Sequence, residues 1–479
     1  MQYDDEYFKS EEFRQLLDSY EASIEAGNSP FMDADELIDI ADYYYLNMEY
    51  DKAFETVDHA LELYPHATLP NAFMARKALQ EEDIQQAQAY ADAIEDHDDP
   101  DYYYLKAELL LAEGKVEQAD RFLRDYGLTV PDDEHEDFIK DCANLFIDYG
   151  ESDKAYEWML RSRGDESNDF KELMGRAHIG MGKYKEAQQV FNELIDRDPY
   201  SVNYWKSLAS AQFMNDEIHD AITSYEYVLA INPDDPEGLL GKANALLSLG
   251  NNEEAQKFLK RYNEINPDDE QALLFTGCCM ANLNRTDEAI RYLLRAEEVS
   301  EEDSSLLPKI YTELAFCYSK EGLLGMALEM MDKTLPLDCD HIEMMVVRGH
   351  VQLENGDEKG AEKSFSKALA MSNSEPYILL RIITSLYDNH YIHACYEMLK
   401  KFFALEIHKE EKLKNGLSFM ALCCYELGKN KEFLYFLKLA CERNPIEATV
   451  VLGHLFPEGM EVKDYYHYMK ELINSKSVN

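Results

Sequence analysis

The chain has 479 residues, of which 46% are hydrophobic, and carries 95 acidic against 46 basic side chains, a formal net charge of −49. This apolar content excludes a wholly disordered chain, and a surface this acidic argues against a nucleic-acid or anionic-membrane partner. The start, MQYDDEYFKSEEF, predicts no secretory signal and no apolar run predicts a membrane span, while nine unpatterned cysteines indicate a reducing cytoplasm.

The negative charge is concentrated at the N-terminal end of the chain. Residues 1–100 hold 26 acidic and 5 basic side chains, a net of −21, whereas residues 401–479 hold 11 of each. Two interpretations follow. The charge keeps an elongated protein soluble, or the acidic N-terminal arm attracts a basic partner.

The first predicted element is a helix over residues 10–26, closed by GNSP. It places apolar residues on one face, namely Phe13, Leu16, Leu17, Tyr20 and Ile24. The last predicted helix carries a similar stripe: Val462, Tyr465, Tyr466, Met469, Leu472 and Ile473. We interpret residues 1–33 and 448–479 as N-terminal and C-terminal capping helices, because the end faces of a helical array are otherwise apolar.

Between these ends the sequence repeats itself with helical periodicity and without strand-like alternation. Residues 171–201 and 204–235 each show a small residue in a first helix, a turn, Ala in a second helix, an aromatic four residues later and a closing Pro. This pattern resembles the tetratricopeptide repeat, a 34-residue helix–turn–helix unit. We therefore expect an all-α fold, an α-solenoid (superhelix) of about twelve repeats over residues 34–447.

Numbering each repeat from 1 to 34 fixes a register. The repeats begin at residues 34, 68, 100, 136, 168, 202, 236, 270, 308, 342, 376 and 414. Position 20 is Ala in ten of the twelve repeats, and position 8 is Ala or Gly in eleven. Ile383 at position 8 and Phe433 at position 20 break this small-residue rule late in the array. Position 15 is often Gly, as a left-handed turn between helices requires. The same register gives the two DYYYL pentapeptides different places and predicts that Tyr44 and Tyr103 are core residues.

Several local patterns suggest chemistry, but none completes a catalytic set. GRAHIGMGK has Met181 where a phosphate-binding loop needs Lys. The most ligand-like clusters, residues 93–101 and 337–341, lie on turns between repeats, and the vicinal pairs Cys278–Cys279 and Cys423–Cys424 are interpreted as buried fillers. We predict no catalytic site, no cofactor and no metal. An undetected metal- or thiol-dependent enzyme is kept as an alternative.

The resemblance implies a concave groove lined by the first helices, in which peptides or partner helices bind. Acidic groups with interspersed Tyr and Leu suit a basic, apolar segment, whereas Lys and Arg in the middle repeats suit a carboxylate. The candidate groove residues are Tyr45, Tyr104, Lys140, Asn144, Arg176, Lys206, Phe213 and Asn244.

One family-specific test concerns the chaperone-binding members, which hold a terminal carboxylate with a set of Lys, Asn and Arg side chains. Lys140 and Asn144 match that set, but Leu173, Asn203 and Ser207 stand at its remaining positions. We therefore expect no tight binding of a chaperone tail.

The functional hypothesis is a non-enzymatic scaffold that binds protein or peptide partners along its groove. The alternative is an acidic, chaperone-like holder of basic or unfolded clients through residues 1–135.

Overall fold

The structure, a computed structural model, describes residues 5–26, 30–373, 375–404, 415–457 and 459–476. Helices connected by short turns make up these ranges, and they contain no β-strand. The chain divides into two compact units, residues 1–233 and residues 234–479. The prediction of an all-α solenoid built from helix–turn–helix pairs is confirmed.

The described residues of the first unit form fourteen helices, of which the first two precede the repeats. They are α1 (Asp5–Phe8), α2 (Glu11–Glu25), α3 (Ala34–Leu46), α4 (Tyr50–Leu63), α5 (Thr68–Gln80), α6 (Ile84–Ala93), α7 (Pro100–Ala112), α8 (Val116–Gly127), α9 (His135–Asp148), α10 (Ser152–Met159), α11 (Asn168–Gly180), α12 (Tyr184–Arg197), α13 (Val202–Met214) and α14 (Ile218–Ile231).

The second unit continues the same alternation of first and second helices. Its helices are α15 (Pro236–Ser248), α16 (Asn252–Ile265), α17 (Glu270–Asn282), α18 (Thr286–Val299), α19 (Leu307–Lys320), α20 (Leu324–Lys333), α21 (His341–Glu354), α22 (Glu358–Met371), α23 (Pro376–Asp388), α24 (Ile392–Ala404), α25 (Leu417–Glu426), α26 (Asn430–Arg443), α27 (Pro445–Leu452) and α28 (Tyr465–Lys476), with 3-10 turns at Gly453–Leu455 and Val462–Asp464.

The observed first helices follow the predicted register closely. Eleven of the twelve predicted repeat starts lie within one residue of an observed helix start, and the twelfth, residue 414, lies outside the described residues. Many first helices begin after an Asp or Ser whose side chain accepts a hydrogen bond from a backbone amide of the first turn. These capping residues are Asp33, Asp99, Ser167, Ser201, Asp235, Asp269 and Asp340.

The turn inside every repeat has one left-handed residue at position 15. Its φ lies between 58° and 77° in all twelve repeats, at Met48, Glu82, Gly114, Gly150, Gly182, Asp216, Gly250, Asn284, Gly322, Gly356, His390 and Gly428. Five of these residues are not glycine, and for them the left-handed backbone is sterically unfavourable. The turn geometry is therefore a property of the repeat as a whole and not only of its glycines.

Small residues let the two helices of a repeat approach each other. A Cβ atom added to Gly175 would lie 2.6 Å from the ring of Phe191, and one added to Gly349 would lie 2.3 Å from the ring of Phe365. The departures from this rule are accommodated, since Ile383 and Phe433 are both fully buried. The core thus runs between paired helices rather than through one central cluster.

The two ends of the chain have different architectures. At the start, Phe13 and Tyr20 of α2 are buried against α3 and α4, while Ile24 is 52% exposed. At the other end, residues 445–476 form the two helices α27 and α28 with 3-10 turns between them, and Tyr465 and Met469 are buried. The boundaries at residues 33 and 448, and the capping role of these segments, stay predictions.

The two DYYYL segments do occupy different places, but only one of the two core predictions is right. Tyr44 is 3% exposed and belongs to the core around Phe13. Tyr103 is only half-buried, because its ring lines a cavity instead of entering the core. In that cavity the ring stacks on that of Tyr126 with a centroid distance of 3.7 Å.

Candidate functional site

Three cavities in the first unit lie along the first helices of neighbouring repeats. The repeat 1–2 cavity, between α3 and α5, has a volume of about 200 Å³. The repeat 3–4 cavity, formed by α7, α9 and the loop after α8, has about 590 Å³, and the repeat 4–5 cavity, between α9 and α11, has about 470 Å³. The latter two share Asp137 and Asp141 and are therefore neighbours on one surface.

The repeat 1–2 cavity is mainly apolar. Tyr45 packs edge-on against Phe73 with ring centroids 5.8 Å apart, and its hydroxyl donates a hydrogen bond to Gln80 Oε1 at 3.3 Å. Ile38, Leu46 and further side chains complete the wall; the full lining is Ile38, Asp42, Tyr45, Leu46, Leu69, Phe73, Arg76, Lys77 and Gln80. This pocket is suited to an apolar side chain of a bound segment.

Repeats 2 and 3 are linked by an ion-paired arginine on the same surface. Arg76 Nε donates to both carboxylate oxygens of Glu108, at 3.0 and 3.1 Å, and Arg76 Nη2 lies 3.6 Å from Asp101. Burial raises the pKa of Asp101, and the Arg76 charge opposes that shift. The arginine is thus neutralised by its own chain.

The repeat 4–5 cavity brings together three of the predicted groove residues. Arg176 Nη1 donates to Asn144 Oδ1 at 2.8 Å, and Arg176 Nη2 lies 2.9 Å from Asp148. Lys140 Nζ lies 2.7 Å from Asp137. Because both cations already face carboxylates of this chain, the geometry weakens the interpretation that these repeats hold a partner's carboxylate.

The net charge of that cavity is negative. It is lined by Asp137, Lys140, Asp141, Asn144, Asp148, Asp169, Glu172, Leu173 and Arg176, which gives five carboxylates against two cations. Burial raises the pKa of Glu172, with Arg176 opposing and Asp169 adding to the shift. The site is therefore suited to a basic group.

We expect Glu172→Gln to stabilise the free protein more at pH 8 than at pH 4, which lies below the ordinary pKa of a glutamate. With a raised pKa, folded Glu172 holds its proton more tightly than the unfolded chain does, so its contribution to stability falls as pH rises through the window between the two values. Solvent screening keeps the gain below about 1 kcal/mol. Urea denaturation of both proteins at the two pH values measures it, and a gain that is equal at both would contradict the assignment.

The remaining predicted residues lie elsewhere. Tyr104 donates a hydrogen bond from its hydroxyl to Asp141 Oδ2 at 3.0 Å in the repeat 3–4 cavity. Lys206 and Phe213 are half-buried on α13, outside the three cavities. Asn244 lies on α15 in the second unit.

Sequence reasoning missed several residues of this surface, among them Phe73, Asp141 and Tyr126. Phe73 and Asp141 both stand at position 6 of their repeats, whereas the predicted groove residues stand at positions 5, 9 and 12. Position 6 was the available signal, because Leu173 and Ser207, which stand where the chaperone-binding members hold a carboxylate, are also at position 6. Tyr126 lies at the end of a second helix and gave no such signal.

The clusters that suggested metal or thiol chemistry have structural explanations. Asp99 and Asp340, from the two ligand-like segments, cap α7 and α21. Burial raises the pKa of the Cys278 thiol to about 12 and that of Cys424 to about 12, which disfavours the reactive thiolate. Within the described ranges, no group of three or more His, Cys, Asp or Glu side chains is arranged to hold a metal ion. In the same ranges, no helix combines the length and apolarity that a membrane crossing needs.

Two sequence profiles, both described as tetratricopeptide repeat, match residues 172–236 and 212–277. They agree with the register of paired helices, small contact residues and left-handed turns seen throughout the described chain. The chain contains tetratricopeptide repeats.

Known proteins similar to this repeat protein differ in how much of it they match. The Protein STIP1 homolog of Dictyostelium discoideum is 28% identical over 98 residues, which are 20% of this chain and 17% of that relative. The chain therefore spans about a sixth of the length of that curated relative.

Solved structures similar to this chain at low identity include the following two. Yeast Tom70 is 14% identical with a TM-score of 0.44, covering 93% of this chain and 98% of its own. A tetratricopeptide repeat protein from Parabacteroides merdae is 18% identical with a TM-score of 0.42, covering 52% and 97%.

Proposed function

We propose that this protein is a non-enzymatic, cytoplasmic scaffold that binds protein or peptide segments along the first helices of its N-terminal repeats. The observation that carries the proposal is the row of three cavities, each placed between the first helices of neighbouring repeats. Repeat arrays characteristically bind partners on such extended inner surfaces.

The chemistry of the three cavities favours a basic, partly apolar segment. The repeat 1–2 cavity offers an apolar slot, the repeat 3–4 cavity offers carboxylates beside aromatic rings, and the repeat 4–5 cavity offers five carboxylates against two cations. The intrachain pairing of Arg76, Lys140 and Arg176 leaves few cations available to attract an acidic partner. The acidic N-terminal region adds long-range attraction for a basic partner.

The test is affinity capture with two variants, each of which replaces three large apolar or aromatic side chains with alanine. A groove variant carries Tyr45→Ala, Tyr104→Ala and Phe213→Ala, and a control variant carries Leu128→Ala, Leu160→Ala and Tyr200→Ala, whose side chains are 86%, 68% and 80% exposed outside the three cavities. We expect discrete partners at physiological salt that the wild type and the control retain and the groove variant loses. Circular dichroism first establishes that each variant folds.

Other outcomes of this capture separate the alternatives. If only abundant basic proteins bind, and binding vanishes between low and physiological salt, the acidic holder is the better description, because exposed charges are screened within about 8–10 Å. If the groove variant retains every partner, the proposed groove is wrong.

A further inference from the structure

The repeat 3–4 cavity combines aromatic faces with carboxylates. Tyr103 and Tyr126 stack at 3.7 Å with an interplanar angle of 14°, and Phe138 meets Tyr126 edge-on at 5.6 Å. The lining residues are Asp98, Pro100, Tyr103, Tyr104, Tyr126, Thr129, Val130, Pro131, Glu134, Asp137, Phe138 and Asp141. Four of them are carboxylates, and neither lysine nor arginine is among them.

Aromatic faces and carboxylates can both bind the same planar cation, the guanidinium ion. A guanidinium ion is planar, stacks on aromatic rings and donates paired hydrogen bonds to a carboxylate. An apolar side chain would bring no hydrogen-bond donor to the carboxylates of this cavity, and an anionic one would be repelled by them. The cavity therefore complements a cation with a flat, hydrogen-bonding face.

Asp141 is the best-placed carboxylate for this contact. The Tyr104 hydroxyl donates to one of its oxygens at 3.0 Å and fixes the orientation of the carboxylate. Its neighbour Asp137 is paired with Lys140 at 2.7 Å, whereas none of the ion pairs among the described residues includes Asp141. Asp141 also faces the repeat 4–5 cavity, so a segment lying along the groove passes over it.

We propose that the repeat 3–4 cavity binds the guanidinium group of an arginine in the partner segment, stacked on its tyrosines and paired with Asp141. This inference rests on the proposed function, since it names the chemistry of the partner at one place in the groove. It assigns the repeat 1–2 cavity to an apolar side chain of the same segment.

The experiment uses the full chain and a displayed library of random dodecapeptides at physiological salt. Selected peptides are resynthesised with each arginine replaced by citrulline, which keeps the shape and removes the charge. Calorimetry then compares both forms on the wild type, on Asp141→Asn and on Asp196→Asn. Asn at 141 retains an acceptor for the Tyr104 hydroxyl, and Asp196 is exposed and outside the cavities, so it matches the change in charge.

We expect arginine to be enriched, and one citrulline replacement to weaken binding to the wild type about tenfold or more. The difference in affinity between the arginine and citrulline peptides should shrink to within about twofold for the Asp141→Asn protein and should persist for the Asp196→Asn protein.

Two negative results of this experiment would have different meanings. If no peptide is enriched above background, the proposed function fails together with the inference. If peptides bind but citrulline is tolerated, or the charge preference persists on Asp141→Asn, the arginine site is wrong while groove binding stands.

Discussion

Replacing Asp120 with alanine is expected to destabilise the protein by about 3–5 kcal/mol, because it leaves several buried or half-buried donors without their acceptor. Asp120 is 1% exposed on α8. Its carboxylate accepts a hydrogen bond from Trp158 Nε1 at 3.1 Å and one from Arg124 Nη2 at 2.6 Å. Lys154 and Arg161 lie 3.7 and 3.8 Å away, so one carboxylate connects repeats 3 and 4.

The matched control is Glu117→Ala. Glu117 lies one turn away on the same helix and pairs with Lys154 at 3.0 Å, but its side chain is 73% exposed. We expect that change to cost less than about 1 kcal/mol, as is usual for a surface ion pair. Chemical denaturation measures both variants, and equal costs would show that the Asp120 contacts do not stabilise the junction between the repeats.

Gly349→Ala is expected to cost about 1–3 kcal/mol, although alanine is normally the better helix former. The added methyl group would lie 2.3, 2.6 and 2.8 Å from three ring carbons of Phe365, which is itself buried on the paired helix α22. The two helices must separate or the ring must leave its position.

Gly325→Ala is the control substitution, and its expected effect on stability has the opposite sign. Gly325 lies in helix α20 of the same unit, is exposed, and has no atom within 4 Å of an added Cβ. Alanine there is expected to stabilise by up to about 1 kcal/mol. If Gly349→Ala is equally harmless, the close approach of the two helices is not what selects a small residue at position 8.

The repeat architecture was predictable because packing constraints leave marks at fixed spacing. A glycine such as Gly349 marks a close contact, and a glycine such as Gly114 marks a left-handed turn. The same turn at Met48 or Glu82 has no residue signature, and only the register of neighbouring repeats locates it. Fold could therefore be read from sequence even where single residues gave no signal.

The groove chemistry was less predictable, since it depends on which side chains pair across repeats. Lys140 and Arg176 suggested a carboxylate site by position, yet Asp137 and Asp148 neutralise them in the folded chain. Tyr103 was placed in the core by register, yet it stacks on a tyrosine at the end of α8 and opens a cavity. Pairings of this kind are set by three-dimensional placement, which periodicity does not encode.

Hydrogen–deuterium exchange on the full chain, with and without a peptide selected from the random library, tests most directly whether the inner surface of the first helices is the binding site. The account predicts slower exchange on peptide binding in α3, α5, α7, α9 and α11, with α4, α6 and α12 unchanged. Protection concentrated in those second helices, or confined to the second unit, would contradict it.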